Sequence, residues 1–320
     1  VDVFSGKVER LEKQLLIALS EINFKYKDIK RNWLFNDGSY IWRDELIINI
    51  LNGFIILSEK NKRVQIHFDA FTEQIFDKLQ ENYELSLTVA HLFYKIAELS
   101  PSSFLRYLRI AIKDDNSTLI KVCNTQLGGF FRNGTFSTYI LSALENVIKI
   151  ERYALEAFEL LLDLYYSIDS NDNILNDVIK MLSPISSKCG VIAMPLHQKT
   201  TFFFNYIKEK DYFKTKRIIE KIFLDESDYI MVAVHDSYRL DIPQKNGISN
   251  TEIYEMRDCI FKWMMEHSGA DENTNMVILR GLLRGIHREF FETQKERFNE
   301  FIVKNKTQDD CAKAEICYTI

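Results

Sequence analysis

The chain has 320 residues, 41 Lys plus Arg against 46 Asp plus Glu for a formal charge of −5, and 46% apolar side chains. That balance argues against a surface built throughout for a phosphate backbone, and the length allows burial of about three-quarters of the unfolded surface without a disulfide or metal staple. With 11 Gly and 4 Pro, well below the roughly 12% of ordinary chains, the turn chemistry of a sheet protein is missing and an all-α fold is expected.

Helical spacing runs from about Lys7 to Lys30, with Leu11, Leu15, Ala18 and Ile22 on one side, and Asn36-Asp37-Gly38-Ser39 ends the linker after it. A second helix reaches Ser58, and others are predicted over Val64 to Gln80 and Leu85 to Leu99. The last stops where Ser100 can cap the next helix and Pro101 fits its first turn. Leu105, Leu108 and Ile112 give that helix one face, Asp114-Asp115-Asn116 closes it, and Thr118 to Gln126 is a short partner. Gly128-Gly129 and Asn133-Gly134 bracket a loop. Ile140, Leu144 and Val147 then form a stripe, matched by a ridge of Leu155, Phe158, Leu162 and Tyr165 on a helix from Arg152 to Ser167. Asp169 to Asn173 reads as a loop and Pro184 to Pro195 as irregular. Helices follow over Thr200 to Lys208, Tyr212 to Leu224 and Asp228 to Tyr238, with three more from about Ser249, Asn273 and Arg288.

Helix, short loop and helix recur at roughly 35 to 45 residues. The expected architecture is therefore an irregular helical-repeat array, a TPR-like α-solenoid of antiparallel helix pairs, with a compact multi-helix bundle as the alternative. Three parts are expected, 1–98, 99–242 and 243–320, the last boundary falling near Pro243 to Gly247. Cys123, Cys189, Cys259, Cys311 and Cys317 make no Cys-x-x-Cys pair and read as free thiols of a reducing compartment. Asn116, Asn133 and Asn305 open Asn-x-Ser/Thr triplets, but no signal peptide precedes them. The apolar run Leu46 to Leu57 is too short to cross a bilayer. A soluble, cytoplasmic protein is expected, and a start at Val1 in mid-pattern suggests a segment of a longer one.

Few constellations carry chemistry. Gly129-x-x-x-x-Gly134-Thr135 has the outline of a phosphate loop but holds Asn133 where the phosphate-binding lysine is needed, so turn glycines explain it. His235-Asp236, with His197 and Asp258, has the ligand types of a metal-dependent HD-like phosphohydrolase, in which Mn, Fe or Mg activates a water; a surface or cap pair is the simpler reading. Arg280, Arg284 and Arg288 recur every four residues beside His287 as a positive stripe for a phosphate or an acidic partner, with solvated arginines near Glu289 and Glu292 as the plain alternative. Lys208 to Lys221 mixes its basic residues with Glu209, Asp211 and Glu220, and Thr201 to Tyr206 reads as core rather than a stacking platform. No nucleophile elbow or Ser-His-Asp order stands out, so no catalytic residue is nominated.

One stretch carries a resemblance. Ala97-Glu98-Leu99-Ser100-Pro101-Ser102-Ser103-Phe104-Leu105, Leu141-Ser142-Ala143-Leu144-Glu145 and Leu160-Leu161-Leu162-Asp163-Leu164 up to Asp169, preceded by Trp42-Arg43-Asp44-Glu45-Leu46, resemble the helical C-terminal half of the Avs proteins, the bacterial antiviral STAND NTPases. Beyond Asp169 the family's Asn-Arg-Pro turn and Trp-x-Pro-x-Thr segment are replaced by Asn171-Asp172-Asn173 and by Met194-Pro195-Leu196-His197-Gln198-Lys199-Thr200. The resemblance implies a non-enzymatic sensor segment that binds a phage structural or packaging protein and couples it to oligomerisation and effector activation. It also implies no cofactor in this segment, with ATP and Mg bound elsewhere in the parent, self-association through that parent, and neither membrane nor direct nucleic-acid binding. Tyr165, Tyr166, Tyr206, Trp263 and the Arg280, Arg284, Arg288 stripe are the candidate partner anchors. A generic scaffold for host proteins remains the rival to that reading.

Overall fold

A computed structural model describes residues 2–21, 39–127, 134–168, 172–183, 192–224 and 249–267. The fold is all-α, with a single two-residue antiparallel pairing among the described residues, Gln126–Leu127 (β1) with Gly134–Thr135 (β2). The described residues up to Asp177, joined by Ile192 and Ala193, form one compact unit; those over 178–183, 194–224 and 249–267 form a second. The expected cut at 98/99 lies inside the first unit.

In the first unit, α1 (Asp2–Glu21) is followed by α2 (Ser39–Lys60) and α3 (Lys62–Glu81), which fold back on each other about Asn61. Phe54 stacks on Phe68 at 4.6 Å, two rings equidistant from that turn, as an antiparallel hairpin requires. The buried side of α1 is Val8, Glu12 and Leu15, while Leu11 is exposed, so the apolar face starts one turn position away from the predicted one. A polar reason is on hand: the Glu12 carboxylate meets His67 Nε2 of α3 at 2.8 Å, and burial pushes its pKa upward against that pairing.

The predicted Leu85-to-Leu99 helix is two, α4 (Tyr83–Val89) and α5 (Phe93–Leu99), separated by a 3-10 turn at Ala90–Leu92. Then come α6 (Pro101–Ile112), α7 (Thr118–Asn124), α8 (Ser137–Val147) and α9 (Glu151–Ser167). Neighbours recur three helices apart: α2 packs on α5 and α5 on α8, α3 packs on α6 and α6 on α9, and α4 packs on α7. Phe76 of α3 stacks on Tyr107 of α6 at 4.5 Å, and Ser103 donates to the Asp69 carbonyl at 3.1 Å. These partners advance together along the chain, so α3 and α6 run parallel. The core holds Phe68, Phe93, Phe104 and Phe158 fully buried, each such side chain stabilising by about 1.5–3 kcal/mol. Leu155 departs from the predicted ridge: Phe158, Leu162 and Tyr165 are buried while Leu155 faces solvent.

Most of the described residues over 97–105, 141–145 and 160–164 are packing residues. Glu98 is 1% exposed and accepts from Lys95 at 2.9 Å, making a buried ion pair on α5, and Glu145 is buried on α8, the helix that α5 packs against. Pro101 does open α6, as predicted, but the Ser100 hydroxyl makes no cap bond. It donates instead to the Asp69 carboxylate, with the Ser103 hydroxyl 2.8 Å away, while Gln65 Nε2 reaches both Asp69 Oδ1 and the Leu99 carbonyl. The junction thus fastens α6 to α3, a tertiary use of a hydroxyl that local sequence assigns to capping.

The boundary between units falls within α10 (Asp172–Leu182), a helix whose Ile174, Leu175, Val178, Met181 and Leu182 are buried. The second unit continues with α11 (Leu196–Tyr206), a 3-10 turn at Ile207–Glu209, α12 (Tyr212–Leu224) and α13 (Asn250–Glu266), with α13 packed on both α11 and α12. Lys199 is wholly buried and donates to the Met181 and Ser183 carbonyls at 2.8 and 3.1 Å, closing the C-terminal end of α10. Burial pushes its ammonium down to about 7. The predicted helices from Asp228, Asn273 and Arg288, the Gly129-to-Asn133 loop and the Pro243-to-Gly247 boundary lie outside the described residues.

Candidate functional site

Two surfaces stand out, one in each unit. In the first, the outer side of α3, α6 and α9 is tied together by charge. Arg106 meets Glu73 at 3.0 Å, and Arg109 donates to Glu156 at 2.9 Å with Glu159 at 3.7 Å. All five side chains are well exposed, so the pairs contribute little stability; what they do is mark which side faces water. Ile66 (70% exposed), Ile110 (55%) and Leu155 (42%) lie on that same side, since Ile66 precedes Glu73 by seven residues, Ile110 follows Arg106 by four and Leu155 precedes Glu159 by four. Three adjacent helices therefore present aliphatic side chains among arginines and glutamates.

In the second unit, the C-terminal end of α11 with the 3-10 turn after it, α12 and α13 form a cleft of about 550 Å³ lined by Phe204, Ile207, Lys208, Lys210, Tyr212, Thr215, Cys259, Lys262, Trp263, Glu266 and His267. Local chemistry places its rings. Asp211 accepts from the Lys214 N–H at 2.8 Å, an N-cap that fixes Tyr212 at the first position of α12. On α13, Ser249 Oγ accepts from the Glu252 N–H at 3.3 Å while Glu252 accepts from the Ser249 N–H at 3.0 Å, a reciprocal capping box that sets where the helix starts. These bonds hold the Glu252 carboxyl below its ordinary pKa, the Ser249 backbone N–H first and the Ser249 hydroxyl next, with His197 adding to them. Trp263 and His267, four residues apart, then stack at 4.2 Å, and Tyr212 lies nearly parallel to both, 5.9 Å from Trp263 and 5.5 Å from His267. His267 Nδ1 lies 2.7 Å from the Trp263 carbonyl, which can only accept, so Nδ1 carries a proton and Nε2 is the acceptor of the neutral ring. The Tyr212 hydroxyl is buried with no hydrogen-bond partner among the described residues.

The residues nominated from sequence fare unevenly. Trp263 lines the cleft, and Tyr206, close by on α11, has Lys210 Nζ 4.4 Å from its ring centroid. Tyr165 is buried at 5% exposure with Tyr166 set edge-on at 5.3 Å, so Tyr165 is a core side chain rather than a surface anchor. His197 is engaged by Glu252 at 3.8 Å and Asp258 by Lys262 at 2.6 Å, and among the described residues no group of three or more His, Cys, Asp or Glu is placed to hold a metal ion. His235, Asp236, Arg280, Arg284 and Arg288 lie outside the described residues. Cys123 is buried, its thiol pushed up to about 12 by burial, and Cys259 is half-buried in the cleft and also raised by burial; both are free thiols. No described helix is long and apolar enough to cross a membrane. Sequence reasoning missed Tyr212, His267 and Lys210, although Trp263 on α13 and His267 four residues on, just past its end, were a local signal. No family model, curated protein or solved structure matches the chain.

Proposed function

We propose that the chain is a helical-repeat binding module that recognises another protein through the outer side of α3, α6 and α9, and that it serves, as its resemblance to the Avs proteins implies, as the sensor segment of an antiviral STAND NTPase. The observation that carries this reading is the three-helix recurrence of neighbours, α2–α5–α8 beside α3–α6–α9. Repeated stacking extends one surface across successive helices, which suits recognition of a folded macromolecule by shape. The aliphatic side chains Ile66, Ile110 and Leu155 within a rim of Arg106, Arg109, Glu73 and Glu156 have the composition of an interface, apolar contacts inside a polar border. The partner expected is a phage structural or packaging protein, bound without bond-making by this segment.

Co-expression with individually cloned phage structural and packaging proteins, scored by co-purification, tests the reading. One protein retained stoichiometrically while the others wash away supports a sensor. Retention of none, or equal retention of phage and unrelated host proteins, overturns it, the second outcome pointing to a general scaffold.

A further inference from the structure

The Glu12–His67 contact joins α1 to α3 through two groups that titrate. The side chains that α1 turns inward are Val8, Glu12 and Leu15, at i, i+4 and i+7, so a carboxylate sits in the middle of an otherwise apolar stripe. One of its oxygens, Oε2, lies 2.8 Å from His67 Nε2, and the other, Oε1, is buried with no hydrogen-bond partner among the described residues. The Glu12 side chain is 9% exposed and that of His67 46%, so the ring meets solvent where the carboxylate barely does. Among the described residues, the other ionisable groups of the facing elements supply no counter-charge. On α1 itself, Glu9 lies three residues before Glu12 and is negative, while Arg10 and Lys13 are exposed. On α3, Asp69 is taken up by Ser100 and Gln65. On α4, which also packs on α1, Glu84 is exposed and the Tyr83 hydroxyl is bonded to Thr125 at 2.7 Å. An ionised carboxylate here loses water and keeps one oxygen unbonded. A proton on Glu12 removes the charge, and a proton on His67 supplies the opposite one, so both protonations favour the packed helix.

We propose that Glu12 and His67 form an acid-tightened latch on α1: protonation of the pair fastens the helix to α3, and loss of those protons loosens it. Burial is the first influence on Glu12 and pushes its pKa above the ordinary 4.5, with the His67 bond and charge opposing it and Glu9 adding to it. The packing strength contributed by this carboxyl is therefore full below 4.5 and falls as pH climbs through the raised value. Loosening uncovers Val8 and Leu15 and the surface they cover, while the α2–α5–α8 and α3–α6–α9 stacks do not include α1. The latch is independent of the protein-binding role proposed for the outer side of those helices.

Hydrogen–deuterium exchange of the full chain at pH 5 and pH 8 tests it, read by mass spectrometry as protection factors so that the intrinsic pH dependence of exchange cancels, with α6 as the internal reference. Protection over residues 2–21 relative to α6 should be at least about threefold higher at pH 5 than at pH 8. Glu12→Gln keeps the shape and the bond to His67 but cannot ionise, and should raise α1 protection at pH 8 toward the wild-type value at pH 5. Glu12→Leu, which leaves no buried polar atom unbonded, should do the same and keeps the test decisive where the Gln variant does not fold. Equal relative protection at the two pH values in wild type overturns the proposal. So does a pH difference undiminished in a folded Glu12 variant, which would place its origin in another group, or α1 protection at pH 8 that falls in both variants, which would make the carboxylate a plain structural contact.

Discussion

In the first unit the outward-facing charges join neighbouring helices, Arg106 with Glu73 and Arg109 with Glu156, whereas in the second the Lys262–Asp258 pair stays on one helix and the rings of Tyr212, Trp263 and His267 stack among themselves beside a hollow. The first arrangement is broad and self-balanced, and suits a large partner that covers many weak contacts at once. The second is a ring-lined cleft of about 550 Å³, within the size range of small-molecule sites. The difference comes from helix placement. Parallel α3 and α6 make a continuous side, while the capped starts of α12 and α13 bring residues about fifty positions apart into one pocket.

Phenylalanines in the two units give the largest contrast. Phe104→Ala removes a fully buried ring in contact with Phe76 and should cost about 3–5 kcal/mol in urea denaturation followed by circular dichroism. Phe213→Ala, at a position 73% exposed, should stay within about 0.5 kcal/mol. Next in size is the buried pair on α5. Lys95→Met removes the ammonium paired with the buried Glu98 carboxylate and should cost about 3 kcal/mol, and Lys95→Met/Glu98→Leu should recover most of it, because a well-packed apolar pair avoids the desolvation cost.

Lys199 separates the units by pH. Its folded value of about 7 lies below the ordinary 10.5, so between those limits the unfolded chain binds more protons than the folded one. Stability contributed at this site therefore rises with pH from about 7 toward 10.5, by at most about 1.4 kcal/mol per pH unit, and is flat below 7. Thermal melts of wild type and Lys199→Met should diverge in favour of wild type over that interval; parallel curves would remove the buried ammonium from the account. A smaller effect than these is expected from Ser249→Ala, which removes the hydroxyl half of the α13 capping box and should cost about 1 kcal/mol.

Most helices were legible because their evidence is local. Tyr212 to Leu224 has the predicted limits, Pro101 opens α6 because its fixed φ suits a first helical position, and the start of α13 after Ser249 follows from capping chemistry. The 3-10 turn at Ala90–Leu92 was hidden because a one-turn change of pitch leaves the apolar spacing intact. The α10 helix was passed over between the loop at Asp169 and Pro184, although Ile174, Leu175, Val178 and Met181 carry a helical pattern. The two-residue β1–β2 pairing is shorter than any alternation that sequence can display. Lys199 and the Ser100–Asp69 bond could not be read at all: a lysine in sequence looks like a surface residue, and a hydroxyl shows no preference for a carboxylate thirty residues away. The cleft was half legible, Trp263 being nominated and Tyr212 not, since its two walls meet only through the packing of α12 on α13.

Arg106→Ser/Ile110→Ser, at two exposed positions on α6, disrupts the middle of the proposed docking side formed by α3, α6 and α9. Retention of the co-purifying phage protein should fall at least about tenfold, equivalent to about 1.4 kcal/mol of binding, while the melting temperature stays near wild type. A variant that folds and still retains that partner at the wild-type level would contradict the assignment.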